Sequence, residues 1–82
     1  MTRAQLLQRI VVDPRVCFGK PVIRGTRNWV ALLIENFAEG ATEDELLGAY
    51  PQLARDDLRA ALAYAAELTR ERVLPLEVEV NL

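Results

Sequence analysis

Three cations, Lys20, Arg24 and Arg27, fall within the nine residues Gly19-Lys20-Pro21-Val22-Ile23-Arg24-Gly25-Thr26-Arg27, which contain no acid. Pro21 fixes its own φ and turns Lys20 away from helix, while Gly19 and Gly25 supply turn points. Val22-Ile23 between them is a short β-prone pair. The segment reads as a tight extended loop or hairpin that presents Lys20, Arg24 and Arg27, a grip for a phosphate backbone or an acidic partner. The same spacing also suits a solvated turn whose arginines pair with carboxylates elsewhere in the chain.

Catalytic chemistry is poorly represented. The sequence has no histidine, which removes the usual general base and the commonest transition-metal ligand. Cys17 has no histidine to activate its thiol and reads as a small buried apolar residue. The adjacent acids Asp56-Asp57 and Glu43-Asp44-Glu45 lie at expected helix starts, where carboxylates suit the helix dipole, and they do not form a dispersed metal-binding set. Gly19-Lys20 and Gly25-Thr26 lack the order of a P-loop. The expectation is a protein that binds and does not catalyse, with no metal and no cofactor.

Eighty-two residues make one domain, 51% hydrophobic and 27% charged, a composition of folded rather than disordered chains. So small a core gains from a dimer mate or partner. One cysteine precludes an intrachain disulfide and fits a reducing compartment. Neither an 18-residue apolar run nor a signal-peptide core is present, so a soluble, cytoplasmic protein with no membrane partner is expected. The net charge of −2 hides an asymmetry. Residues 1–30 hold six cations against one acid, and residues 31–82 hold four cations against eleven acids. Two faces with different partners, or a basic loop lying on acidic helices, would each produce it.

The elements that position the loop are readable from periodicity. Thr2 can cap a short helix reaching Gln8. Ile10-Val11-Val12 reads as a strand stopped by Asp13-Pro14, and pairing with Val22-Ile23 makes a two-stranded ribbon. Val30, Leu33, Ile34 and Phe37 form the stripe of a first core helix that starts at Asn28 and is closed by Gly40. Thr42 and Glu45 make a capping box for a second helix, which Pro51 ends after Tyr50. A third runs from near Arg55 to about Arg72 with Leu58, Ala61, Leu62, Ala65 and Leu68 inward. Leu76-Glu77-Val78-Glu79-Val80 alternates with the period of a strand.

The expected fold is therefore mainly α: an N-terminal segment with a basic β-ribbon over residues 1–27, a three-helix, helix-turn-helix-like core over 28–72, and a C-terminal strand over 73–82. In such a motif the second helix enters the major groove, but Arg55-Asp56-Asp57-Leu58-Arg59 offers two carboxylates at its tip. The ribbon should therefore dominate any DNA contact, with Arg59 secondary. Alanines on several sides of the last helix leave Ala60, Ala63 and Tyr64 as a second close-packing face, suited to a homo-oligomer contact. Trp29 is either a ribbon–helix wedge or an interface anchor. Leu76, Val78 and Val80 form the apolar edge that strand addition to a partner would use.

The ordered segments Ile10–Pro14, Gly19–Arg27, Ala38–Leu47, Tyr50-Pro51 and Asp57–Ala65 together resemble the bacterial family known as domain of unknown function 433, small helix-turn-helix proteins that include antitoxins. The resemblance implies a co-encoded ribonuclease-like toxin as partner and binding to promoter DNA. A free-standing transcriptional regulator, or a protein–protein adaptor that touches no nucleic acid, would use the same core. Such proteins usually carry Ile-Pro where this chain has Asn28-Trp29. The first-turn proline is absent, and Asn28 is expected to serve as the N-cap.

Overall fold

The computed structural model describes residues 1–71. Among these it contains helices α1 (Arg3–Leu7), α2 (Val30–Ala38), α3 (Glu43–Ala49) and α4 (Arg55–Glu71), and strands β1 (Ile10–Val11) and β2 (Val22–Ile23). The mainly helical architecture with a small ribbon is the one expected. The expected C-terminal strand, with Leu76, Val78 and Val80, lies outside the described residues. None of the described helices is long and apolar enough to cross a membrane.

Local sequence accounts for most boundaries. Thr2 and Gln5 form a reciprocal capping box on α1, and Thr42 and Glu45 form one on α3. Helix α2 ends in a Schellman turn: Gly40, at φ +97°, donates its N–H to Phe37 O, and Ala41 donates to Asn36 O. The start of α2 differs from expectation. Trp29 and not Asn28 is its N-cap residue, and no side chain caps it. The N–H of Val30 instead donates to the Pro21 carbonyl at 3.0 Å, so the residue just before β2 satisfies the helix's first free donor.

The strands pair antiparallel, Ile10 with Ile23 and Val11 with Val22, and Trp29 bridges the other edge of β2. Val22 and Ile23 are buried. Ile23 joins Val30, Leu33, Leu46, Leu53, Leu58 and Ala61 in one core, against which Ile34, Phe37 and Tyr64 also pack. The ribbon is thus anchored in the core that the three long helices share, and the basic loop starts from rigid ground.

Helix α4 turns Leu58 and Ala61 into the core as expected, but not Leu62 and Leu68. Leu62 and Leu68 are exposed, while Asp57, Leu58, Ala60 and Ala61 are buried. The reason is α1, which lies along α4. Arg3 bonds to Glu67 at 3.0 Å and Arg9 to Asp57 at 2.9 Å, so α1 runs antiparallel to α4. Positions 57, 60, 64 and 67 make one stripe at helical spacing, and its two ends are held by α1 and the residues after it. Ala60 has no exposed surface, and Tyr64 is half-buried against the core. This corrects the expectation of a free Ala60/Ala63/Tyr64 face: Ala60 and Tyr64 serve the chain's own packing, and Ala63 is half-buried.

Candidate nucleic-acid interface

The basic loop is built in two turns. In the second, Gly25 at φ +78° lets the chain reverse after β2. The Thr26 hydroxyl donates to Ile23 O at 2.7 Å and accepts from Asn28 N, while Ile23 N donates to Asn28 O. Four residues are closed on themselves, leaving Arg24 and Arg27 at the rim. The first turn, Cys17–Gly19, is left-handed throughout, with φ of +51°, +60° and +80°. Two of these residues are not glycine, and an L side chain there is strained. Cys17 is half-buried and not the buried apolar residue expected. Phe18 is 94% exposed.

The side chains of the loop take separate positions. The Lys20 ammonium lies 4.9 Å from the centroid of the Trp29 ring, a cation–π contact that fixes the lysine on the aromatic face. Trp29 remains 39% exposed, at the seam of ribbon and helix. Arg24 Nε donates to the Gln8 carbonyl at 3.0 Å, past the C-terminal end of α1. Arg27 lines a depression of about 550 Å³ shared with Val11, Val22, Asn28 and Gln52. Cys17 Sγ lies 3.8 Å from Arg27 O, so the two turns adjoin.

The pairing of charge decides which cations a partner can use. Arg3, Arg9, Arg15, Arg55, Arg59 and Arg70 each have a carboxylate within 4.0 Å. Among the described residues, the side-chain cations with none are Lys20, Arg24 and Arg27. The basic loop does not lie on the acidic helices described. All three are exposed residues.

The N-terminal turn of α4 is the reverse case. Arg55 is bonded to Asp44 at 2.7 Å and to Glu43. These hydrogen bonds, donated by the guanidinium to Asp44 first and then to Glu43, hold it more firmly protonated than usual. Asp57 accepts from Ala54 N and from Arg9, and Arg59 lies 3.4 Å from Asp56. The helix tip that would enter a groove is occupied by internal bonds. Of the four expected nucleic-acid residues, three lie on one loop with no carboxylate partner among the described residues, and Arg59 lies elsewhere, partly neutralised. Asp13 also belongs to the loop's base, where hydrogen bonds from the Arg15 side chain and backbone hold its carboxyl below the usual range. Any stability it contributes is present above the unfolded carboxylate pKa and lost as pH falls through the lowered folded value.

The family model described as protein of unknown function (DUF433) matches residues 10–65, which span the ribbon, the loop, α2, α3 and most of α4. The chain belongs to the DUF433 family. A crystal structure of a DUF433 member from Anabaena variabilis ATCC 29413, at 2.00 Å resolution, is similar to it: 39% sequence identity, TM-score 0.71, covering 83% of this chain and 68% of that one. No curated protein matches the chain.

Phe18 was not singled out from the sequence, because no glycine or asparagine at 17 or 18 signals a left-handed turn. Phe18→Gly should stabilise the domain by about 1 kcal/mol, since it relieves a left-handed L residue at the cost of little buried surface. A urea titration checks this, and a loss of stability would show that the ring supports the fold.

Proposed function

We propose that this protein acts by stoichiometric binding in the cytoplasm, as an antitoxin-like component that holds nucleic acid through the loop of Lys20, Arg24 and Arg27 and neutralises a co-encoded, ribonuclease-like toxin. The observation that carries the nucleic-acid part is the pairing of charge: three cations on one hydrogen-bonded loop, without carboxylate partners among the described residues. Uncompensated surface cations at such density recruit polyanions and release counterions from them. The toxin part rests on the family resemblance and on the acidic balance of residues 31–82, which suits a basic partner surface.

A free-standing regulator would use the same loop and have no toxin; an adaptor would use neither. Co-expression with the neighbouring reading frame separates them. A stable complex that suppresses ribonuclease activity supports the antitoxin reading, and a chain that binds DNA while co-purifying with nothing supports the regulator. The proposal includes self-association, with exposed Leu62 and half-buried Ala63 as the available surface on α4. Light scattering at high micromolar concentration should give a dimer or larger, and a monomer there removes that part.

A further inference from the structure

Phe18 contributes nothing to the fold that explains its presence. Its side chain is 94% exposed, so it buries no apolar surface, and its φ of +60° is one that glycine or asparagine adopts more easily. The turn that holds it is nevertheless well bonded: Val16 N donates to Asp13 O, Gly19 N to Val16 O and Lys20 N to Cys17 O, all within 3.1 Å. The ring stands on a fixed support two residues from Lys20, and the adjoining turn carries Arg27. An exposed aromatic ring on the same loop as three cations that lack carboxylate partners among the described residues matches a ligand that has both anionic charge and flat apolar faces.

We propose that the loop takes a single strand of nucleic acid, with phosphates on Lys20, Arg24 and Arg27 and a base stacked on the Phe18 ring. This rests on the reading of the loop as a nucleic-acid site and names the strand state. A duplex hides the faces of its bases in its own stack, whereas a single strand can present them to an aromatic side chain. The duplex-reading alternative also lacks its usual tool, because the tip of α4 is held by Glu43, Asp44 and Arg9. The Trp29 face is shared with Lys20, so Phe18 is the open platform. Arg27, Asn28 and Gln52 line the depression of about 550 Å³ next to the second turn, where hydrogen-bonding side chains are open to an unstacked base.

Fluorescence anisotropy with labelled oligonucleotides of about 15 nucleotides, as single-stranded DNA, single-stranded RNA and duplex DNA, tests this. Single strands should bind more tightly than the duplex. Phe18→Ala and Phe18→Leu should each lose roughly 5- to 100-fold on the single strands, while Phe18→Tyr retains affinity because it keeps a π face. The DNA and RNA arms then show which sugar is preferred. Duplex binding at least as tight, unchanged by Phe18→Ala, overturns the single-strand inference and leaves the nucleic-acid reading standing. Absence of binding to all three overturns both. Phe18-dependent binding of poly-glutamate with no oligonucleotide binding also overturns both and assigns the loop to an acidic protein.

Discussion

Asp57→Ala should lower the unfolding free energy by about 3 kcal/mol, a large part of the stability of so small a domain. Asp57 is 8% exposed, and each of its carboxylate oxygens has a task. Oδ2 accepts from Ala54 N at 2.8 Å and closes the first turn of α4. Oδ1 accepts from Arg9 at 2.9 Å and ties the segment after α1 to that turn. Loss of the cap alone costs about 1 kcal/mol. The remainder arises because Arg9 keeps its charge in a half-buried site where its Nε already lacks a partner. Asp57→Asn keeps a cap acceptor and loses the ion pair, so it should fall between wild type and alanine. Urea denaturation followed by circular dichroism measures both. A change below about 1 kcal/mol for the alanine variant would mean that α1 does not depend on this contact.

Replacing Lys20, Arg24 and Arg27 together with alanine should weaken nucleic-acid binding by about 100-fold or more, since a hydrogen bond to a charged group contributes roughly tenfold in affinity. The fold should survive. None of the three cations belongs to an ion pair with a described residue, and the bonds that close the loop come from Thr26, Ile23 and Asn28. Arg59→Ala is the internal control, expected to change affinity by less than about threefold because Asp56 already engages that guanidinium. Equal losses for Arg59→Ala and for the triple variant would move the interface to α4.

Much of this architecture was legible from local pattern. The Thr42–Glu45 capping box, the α2 stripe of Val30 and Leu33, the glycine stop at Gly40 and the pairing of Ile10-Val11 with Val22-Ile23 all depend on neighbours close in sequence or on simple periodicity. What was not legible is non-local. The second buried stripe of α4 is set by α1, which starts 52 residues earlier in the chain and is too short to announce its docking. Asn28 looked like a cap, yet the free N–H of α2 is taken by the carbonyl of Pro21. The three cations of the site stood out at once, but their lack of carboxylate partners could only be read in three dimensions. The strained platform under Phe18 had no sequence signal, because left-handed turns are normally flagged by glycine or asparagine.

The salt dependence of nucleic-acid binding by the intact protein tests the role of the loop most directly. An anisotropy titration at several salt concentrations should give an affinity that falls steeply. The slope of log K against log salt should be near −2 on single strands or near −3 on duplex, as three phosphate contacts require, and the alanine triple variant should remove most of it. Affinity independent of salt, or a slope that the triple variant leaves unchanged, would contradict the assignment of the loop.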